Sequence, residues 1–371
     1  YQALILLIKE DIKQQQWDKA IQVVEKFETR FAGNDAYNEL LRTLRAPYDH
    51  TIIAVPFDST INAPNAMQYS IIVGANDSTM YFTGRNRKDN LGQEDVYMSK
   101  LTQQGWQKAQ LVKGINTANG YESPMAISVD GTTLLLFKNG SMCVTNKSTK
   151  GWTTPRPLPE ELNNAKWQSD AMITSDGKAM LFAASKKNLS EYQISNNVYE
   201  ASNIFVSLID SNGVWSEPID LGPTINTPFC DRSPVLHPDM KTLYFCSEGH
   251  GTLGDMDVFK SARIYEDSWT DWTTPVNIGK EINSVDLDCW YRISTDGKKA
   301  YFSKTTDFDS KLFTTTIPAN MQPEPVVTIA GRVLDMENKP VGTTIRWENL
   351  QTHTTIGQIH SDPIDGAFFI V

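Results

Sequence analysis

The sequence predicts a mainly β protein built around a five-bladed β-propeller closed by an N-terminal strand, with a short α-helical segment before it and a partial β-sandwich after it. Three observations lead to this prediction. Apolar residues follow helical spacing up to residue 46, a strand–turn–strand signature then recurs five times, and a second β-rich stretch follows a Pro-rich linker. The predicted boundaries are 1–46 for the helices, 47–318 for the propeller, 319–325 for the linker and 326–371 for the sandwich.

Composition indicates a folded protein and narrows its partners. A chain of 371 residues exceeds the roughly 250–300 residues at which a single core stops growing, so one large domain with additions is expected. The net charge of −10 and the lack of a basic run argue against a nucleic-acid partner, because phosphate binding depends on clustered Lys and Arg. The longest aliphatic run, 3–8, is far shorter than the roughly 20 residues of a membrane-spanning helix. The sequence begins at Tyr1 and ends within a strand-like run, so further segments are expected on both sides.

The first 46 residues predict two amphipathic helices and part of a third. Apolar side chains such as Leu4 and Ile8 recur every three or four positions, and Gly33 interrupts the pattern. The second helix is predicted to begin at Trp17 and to end near Phe31.

Five matching hairpins form the predicted propeller. Each unit has an apolar strand, a polar turn and a second apolar strand; the turn often reads Asp-Gly, in which Asp bonds the turn backbone and Gly tolerates positive φ. The turns are marked by Asn76, Asp130, Asp176, Asp239 and Asp296, which are separated by 54, 46, 63 and 57 residues. Units of this length suit four-stranded blades with variable loops, and a sixth blade would have to lie inside the 63-residue unit.

Two further signals indicate how the ring closes. Four units carry a Trp near their last strand, predicted to pack between blades: Trp106, Trp152, Trp215 and Trp272. An Ile-Asn pair follows the Trp in three of these units, but the fifth unit, 290–318, lacks both signals, whereas residues 52–62 end in Ile61-Asn62. Because an open sheet edge invites pairing with other chains, residues 51–57 are predicted to complete the fifth blade.

After the linker, the chain reads as a separate all-β module. Strands are expected near Thr328–Val333 and Ile345–Trp347, and an Asp-Gly turn leads into a last strand at the end of the sequence. These strands are too few for a complete sandwich, so the module is predicted to be partial.

The order of these parts resembles a known arrangement. The helical hairpin beginning Trp17-Asp18-Lys19-Ala20 resembles a tetratricopeptide repeat, the propeller units resemble the TolB-like, WD40-like type, and the last module resembles a carboxypeptidase regulatory-like, or transthyretin-like, domain. The whole is similar to the multidomain outer-membrane lipoproteins related to PorE, an accessory component of type IX secretion. This resemblance implies a periplasmic, outer-membrane-associated protein with partners in an envelope or secretion complex. In that family, peptidoglycan contact belongs to an OmpA-like domain outside the present sequence.

Motifs for catalysis are not found in the sequence. It has no nucleophile elbow, no metalloprotease His pair, no phosphate-binding loop and no dinucleotide glycine pattern. The histidines are dispersed and the cysteines lack metal-ligand spacing, so neither a metal nor a cofactor is expected. Two interpretations stay open for the cysteines, buried small hydrophobic residues or an isolated disulfide: Cys143, Cys230, Cys246 and Cys289.

One set of acids is a candidate binding site. Glu122, Asp170, Asp231 and Asp288 precede the innermost strands of different units, and such positions converge near one mouth of a propeller channel. Together they would form a negative funnel for a cation or a basic peptide. The structural alternative is that these carboxylates accept backbone N–H bonds or pair with arginines, for which Arg232 and Arg292 are available.

Two classes of function follow. The first is a non-enzymatic scaffold whose helices and propeller bind other proteins. The second is a five-bladed glycan-binding protein or glycosidase, which would need two channel-mouth acids about 5–9.5 Å apart in an open pocket, or exposed aromatic residues such as Trp167, Trp290 and Tyr291 lining a cleft. Acids bonded to backbone amides would favour the scaffold.

Overall fold

Three helices open the chain. The computed structural model describes residues 2–185, 202–306 and 309–371; residues 186–201, in the 63-residue unit that had room for a sixth blade, lie outside the described part. The helical elements are α1 (Gln2–Lys13), α2 (Trp17–Glu25), a 3-10 turn (Glu28–Phe31) and α3 (Asp35–Arg45). The prediction that the second helix reaches Phe31 is wrong. The carbonyl of Val24 accepts the hydroxyl of Tyr37 at 3.0 Å and the amide of Phe27 at 2.9 Å, so the α-helical bonding pattern ends there.

The propeller contains five antiparallel sheets. A short strand, β1 (Val55–Pro56), precedes the first blade. The first blade contains β2 (Met67–Val73), β3 (Thr79–Arg85), β4 (Glu94–Thr102), β5 (Gly105–Trp106) and β6 (Gln110–Leu111). The second contains β7 (Glu122–Ile127), β8 (Thr133–Lys138), β9 (Ser141–Ser148), β10 (Gly151–Trp152) and β11 (Arg156–Pro157). A short helix, α4 (Glu160–Asn163), follows it.

The remaining blades have four strands each. The third contains β12 (Gln168–Ile173), β13 (Ala179–Ser185), β14 (Ser202–Leu208) and β15 (Ile219–Asp220). The fourth contains β16 (Asp231–Leu236), β17 (Thr242–Ser247), β18 (Asp257–Ala262) and β19 (Val276–Asn277). The fifth contains β20 (Leu287–Ile293), β21 (Lys299–Thr305), β22 (Ser310–Thr316) and, from the other end of the chain, β1.

The predicted five-bladed propeller is confirmed, and β1 closes it. Val55 pairs with Thr314 and Pro56 with Phe313, and the amide of Phe57 donates to the Leu312 carbonyl at 3.0 Å. Pro56 is tolerated because β1 is an edge strand and its missing N–H interrupts no inner ladder.

A repeated asparagine extends each blade beyond its short fourth strand. In every blade one Asn side chain both accepts from and donates to the backbone of a single residue on the third strand, at 2.7–3.0 Å. These asparagines, called the Asn clips below, are Asn62, Asn116, Asn163, Asn226 and Asn283. The Asn oxygen thus replaces the acceptor that a longer fourth strand would supply, and the Asn nitrogen adds a second donor to a carbonyl that already accepts a backbone amide.

Apolar side chains fill the spaces between neighbouring blades. Leu136, Phe182, Phe245, Phe302 and Phe82, on the second strands, are at most 2% exposed. Two of the predicted Trp contacts cross a blade boundary: Trp152 meets Tyr81 edge-on at 6.2 Å, and Trp106 meets Phe57 at 6.4 Å. The core is therefore a ring of inter-blade layers around the channel.

The helical segment packs against the fourth and fifth blades. Leu253 and Val285 belong to the same buried cluster as the helices. On α3, Arg42 Nη2 donates to the Asn277 carbonyl at 3.0 Å, and Lys280 Nζ donates to the carbonyl of Leu44 at 2.8 Å. The helices thus rest on the blade next to the one that β1 completes.

The C-terminal module consists of two small sheets. Strands β23 (Ile329–Arg332) and β26 (Ala367–Ile370) pair with each other, as do β24 (Thr344–Asn349) and β25 (Thr354–His360). The module contacts the second blade, where the amide of His360 donates to Asp130 Oδ2 at 2.8 Å and Lys147 pairs with Asp362.

Candidate functional site

The innermost strands share one irregularity that defines the geometry of the channel. Each contains a register shift near its middle. In four blades the residue at the shift has a left-handed backbone, with φ between +49° and +54°: Ser70, Asp170, Ser233 and Trp290. In the second blade the shift follows Pro124. These bulges turn the side chains at this level towards the channel and towards neighbouring blades.

The four candidate acids occupy two different levels. Glu122, Asp231 and Asp288 lie two residues before the bulge level, where the first and third blades carry glutamines, Gln68 and Gln168. Asp170 lies at the bulge itself. The structure therefore separates one acid from the other three.

The three acids at the strand starts are bonded to their own blade. Asp231 Oδ2 accepts the Thr227 amide, and its Oδ1 accepts the hydroxyl of Ser247. Asp288 Oδ2 accepts the amide of Ser284 at 2.6 Å. These bonds fix the loop that delivers the chain from the preceding blade.

Lysines on the second strands neutralise two of these acids. Glu122 accepts Lys138 Nζ at 2.7 Å and the hydroxyl of Thr117 at 2.5 Å, and Lys304 Nζ lies 3.0 Å from Asp288 Oδ1. Burial raises the pKa of Asp288 above its ordinary value, and Lys304 opposes that shift. Glu122, Asp231 and Asp288 are each 0% exposed, so a substrate in the channel would not touch them.

Asp170 is the centre of a cluster contributed by three blades, called the Asp170 cluster below. Its Oδ2 accepts Arg232 Nε at 2.7 Å and Ser233 Oγ at 2.8 Å, and its Oδ1 lies 3.4 Å from Trp290 Nε1. The Arg232 guanidinium also lies over the rings of Trp167 and Trp290, at 5.1 and 5.3 Å. Burial alone would raise the pKa of Asp170, but Arg232 and Ser233 hold it below its ordinary value.

A second arginine ties the remaining blades to this centre. Arg292, from the fifth blade, donates to the Met125 carbonyl of the second blade at 3.1 Å. Trp290 also packs on Tyr69 of the first blade, with 5.4 Å between ring centroids. Groups from all five blades are thus joined across the axis. Of the pairings of acids with Arg232 and Arg292 that the sequence suggested, the structure forms the ion pair of Asp170 with Arg232.

The predicted aromatic residues do not share one surface. Trp167 and Trp290 both contact Arg232, but Tyr291 is 3% exposed and packs on Tyr244 at 5.1 Å, between the fourth and fifth blades. The opposite end of the channel is mostly apolar, with a cavity of about 110 Å³ lined by residues such as Ile127, Leu236 and Ile293. Among the described residues, no three potential metal-ligating side chains come together.

Both interpretations of the cysteines apply, to different residues. Cys246 and Cys289 form a disulfide between the fourth and fifth blades, with Cα atoms 5.6 Å apart. Cys143 and Cys230 are buried free thiols, and burial raises the pKa of Cys230 to about 12.

The fold and the channel place the chain in a broad structural class, the five-bladed β-propellers. No protein-family model and no curated protein match the sequence. Among solved structures, a putative TolB from Agrobacterium tumefaciens is 15% identical with a TM-score of 0.38, covering 82% of this chain and 90% of that one. An α-L-arabinofuranosidase from Podospora anserina is 11% identical with a TM-score of 0.45, covering 74% and 97%. A levansucrase from B. megaterium is 8% identical with a TM-score of 0.44, covering 77% and 95%. At these identities the similarity concerns the fold alone.

Proposed function

We propose that the protein is a non-enzymatic scaffold of a periplasmic, outer-membrane-associated complex, with type IX secretion as the assembly it serves. One observation carries the non-enzymatic part: Glu122, Asp231 and Asp288 are 0% exposed and bonded to loop and strand groups. A glycosidase needs two carboxyl groups that reach the sugar from an open pocket.

The modular organisation supports the scaffold. A helical segment with tetratricopeptide character and a partial sandwich of the transthyretin-like type flank the propeller. Leu6 and Leu7, on α1, are 72% and 60% exposed, and this apolar surface suits contact with another protein or a further helical repeat. Among the described residues, no helix has the length and apolar character needed to cross a bilayer.

The disulfide supports the proposed compartment. Structural disulfides form and persist in oxidising environments such as the bacterial periplasm and are rare in the cytosol. The Cys246–Cys289 bond joins two blades within the buried core, as expected of a structural bond.

The proposal can be tested by cross-linking the protein in intact cells and identifying captured proteins from envelope extracts. We expect components of a secretion complex, and no hydrolysis when the purified protein is incubated with arabinan, fructan and peptidoglycan fragments. Glycan hydrolysis without recovery of any envelope protein would overturn the proposal.

The alternative is glycan binding at the channel mouth. The observation that favours it is the aromatic pair of Tyr69 and Trp290, both only partly buried, beside the charged groups of Asp170 and Arg232. Aromatic faces and fixed polar groups are the usual elements of a sugar site. Binding of an oligosaccharide that is lost in a Trp290→Ala variant would establish this alternative.

A further inference from the structure

A second cavity lies away from the channel, between the fourth and fifth blades. Its volume is about 340 Å³, within the range of small-molecule sites. Its walls are mainly apolar, with side chains from the blades, from the segment before β1 and from the segment after β22; they include Ile52, Ile278, Ile282, Ile317 and Met321. Three separate parts of the chain therefore meet at this cavity.

Tyr244 lines this cavity, and its hydroxyl has no partner among the described residues. The hydroxyl of Tyr244 is buried and makes no hydrogen bond, and the residue as a whole is 2% exposed. A buried hydroxyl without a partner destabilises a protein, so native proteins rarely keep one without a reason. The hydroxyl of Tyr97, equally buried in the first blade, bonds to Asp89 and Asn90 at 3.0 and 2.9 Å.

A cation on the same wall lacks a carboxylate partner. Lys260 Nζ donates to the Met321 carbonyl at 3.2 Å and lies 5.8 Å from the centre of the Tyr244 ring. Among the described residues, no carboxylate oxygen lies within 4.0 Å of it. Burial lowers the pKa of Lys260, so an anion beside it would stabilise its charged form.

The other charged groups at this cavity already have partners. Arg42 pairs with Glu39 at 2.7 Å, the carboxylate of Asp49 accepts the amide and hydroxyl of Thr51, and Glu281 accepts the amide of Asp49 at 2.6 Å. The remaining groups are the Lys260 ammonium, which donates to the Met321 carbonyl but has no carboxylate partner in the described part of the chain, and the Tyr244 hydroxyl; both can donate to an anion.

We propose that this cavity binds an organic carboxylate with a short apolar body, whose carboxylate is held by Lys260 and whose body packs on the isoleucines. The Tyr244 hydroxyl, which is buried in the unliganded structure, turns towards the carboxylate on binding and becomes its second donor. Two kinds of ligand combine a carboxylate with an apolar body in this way: a free medium-chain acid, and the C-terminus of a peptide that ends in an apolar residue. This site is independent of the proposed scaffold function, because it lies outside the channel and outside α1.

Calorimetry on the full chain tests the proposal with matched probes. Octanoate and octanol differ only in the head group, and acetyl-Ala-Ala-Leu with a free or an amidated C-terminus differs in the same way. We expect each carboxylate to bind at least tenfold more tightly than its neutral counterpart. A preference for octanoate or for the peptide identifies the source. Binding of neither acid, or equal binding of acid and neutral probes, would overturn the proposal and leave water as the partner of Tyr244.

Two variants separate binding from folding. Lys260→Met should weaken the tighter acid by about tenfold or more and leave the neutral probe unchanged, with the exposed Lys311→Met as control. Tyr244→Phe should weaken the acid by about tenfold while the melting temperature of the unliganded protein stays the same or rises. Tyr97→Phe, which removes a hydrogen-bonded hydroxyl, should lower the melting temperature. If Tyr244→Phe lowers the melting temperature as much as Tyr97→Phe, the hydroxyl is not without a partner and the inference fails.

Hydrogen exchange locates the ligand. Amides of 47–52 and 317–321 should exchange more slowly when the acid is bound, because these segments line the cavity. Protection confined to the channel strands would place the ligand elsewhere and contradict the proposal.

Discussion

At the scale of single residues, the carboxylate of Asp231 has a structural role, because it holds neighbouring loop and strand groups by hydrogen bonds. It accepts an amide and a hydroxyl from Thr227 and a hydroxyl from Ser247 while being 0% exposed. The first and third blades carry Gln68 and Gln168 at the same level. All five blades therefore carry a long or acidic polar side chain at this level, but a negative charge is not common to them, and the side-chain oxygens of Gln68 and Gln168 accept no hydrogen bond from the described residues.

Replacing Asp231 tests this distinction. Asp231→Ala should lower the free energy of unfolding by roughly 2–4 kcal/mol, because it removes the carboxylate that accepts one amide and two hydroxyls. Asp231→Asn keeps one acceptor oxygen and should lose clearly less. Urea unfolding followed by tryptophan fluorescence measures both. Equal losses in the two variants would mean that charge is the essential property.

Asp257 should make stability depend on pH. Burial and the nearby Asp288 raise its pKa well above the ordinary 3.8. The folded protein then binds a proton that the unfolded chain has released, so this group favours folding at low pH and its contribution is lost as pH rises from about 3.8 through the raised pKa. Asp257→Asn should remove this contribution to the pH dependence of stability. Melting temperatures between pH 4 and 8, compared for the two proteins, check it; parallel curves would contradict it.

The Asp170 cluster gives a second residue-scale prediction. Asp170→Asn removes the carboxylate that Arg232 Nε contacts at 2.7 Å, and breaking a buried ion pair in this way costs about 3–5 kcal/mol. In a double-mutant cycle, Arg232→Gln should cost much less when it is combined with Asp170→Asn than when it is made alone. Additive losses would show that the two side chains do not interact in solution.

The sequence did not predict the two levels of acids. Asp170 stands at the bulge, two positions further along its strand than Asp231, and a bulge has no signature in a short apolar strand when Ser, Asp and Trp all occupy it. Gln68 and Gln168 were not recognised as counterparts of the acids, because they occupy the same level of the innermost strands but lack the charge by which the acids were found.

At the scale of elements, the Asn clips supply hydrogen bonds to the third strand of each blade where the fourth strand has ended. Four of the five stand in Ile-Asn pairs that the sequence analysis recognised as a repeated signal. The fifth, Asn163, ends the short helix α4 after a leucine, so its place in the repeat was missed. The repeat could be recognised in the sequence because its turns are rich in Asp and Gly and most of its clips follow an Ile. The hydrogen bonds that each clip makes could not be predicted, because they join residues about 20 or more positions apart.

Removing a clip should weaken its whole blade. Asn283→Ala leaves the backbone N–H of Val258 without its acceptor and removes one of the two donors to the Val258 carbonyl, which keeps the Ile278 amide at 3.3 Å; we expect a loss of roughly 1–3 kcal/mol. Asn212→Ala, in an exposed turn, is the control and should change stability by less than about 1 kcal/mol. Thermal unfolding compares them, and similar losses in both would refute a special role for the clip.

At the scale of the whole molecule, ring closure has both a hydrogen-bonded and a covalent component. Strand β1 completes the fifth blade, and the Cys246–Cys289 disulfide fastens that blade to the fourth across 43 residues. A cross-link over a loop of this length stabilises a protein by about 4 kcal/mol in the chain-entropy description.

Reduction of the disulfide should therefore lower the melting temperature. A Cys246→Ser, Cys289→Ser double variant should melt at the temperature of the reduced protein and be insensitive to reductant. Cys143→Ser, which alters a buried free thiol, should retain the sensitivity. An unchanged melting temperature on reduction would show that the bond does not hold the ring together.

The position of the helices has a mechanical consequence. If the N-terminal end were held and the C-terminal module pulled, a force reaching β1 directly would peel two paired residues from β22 and open the ring. Because α3 is hydrogen-bonded to Asn277 and Lys280, at and just after β19 of the fourth blade, a pulling force reaches the propeller through that contact before it reaches β1. The contact between the helices and the propeller therefore protects ring closure, because a pulling force would have to detach the helices before it could separate β1 from β22.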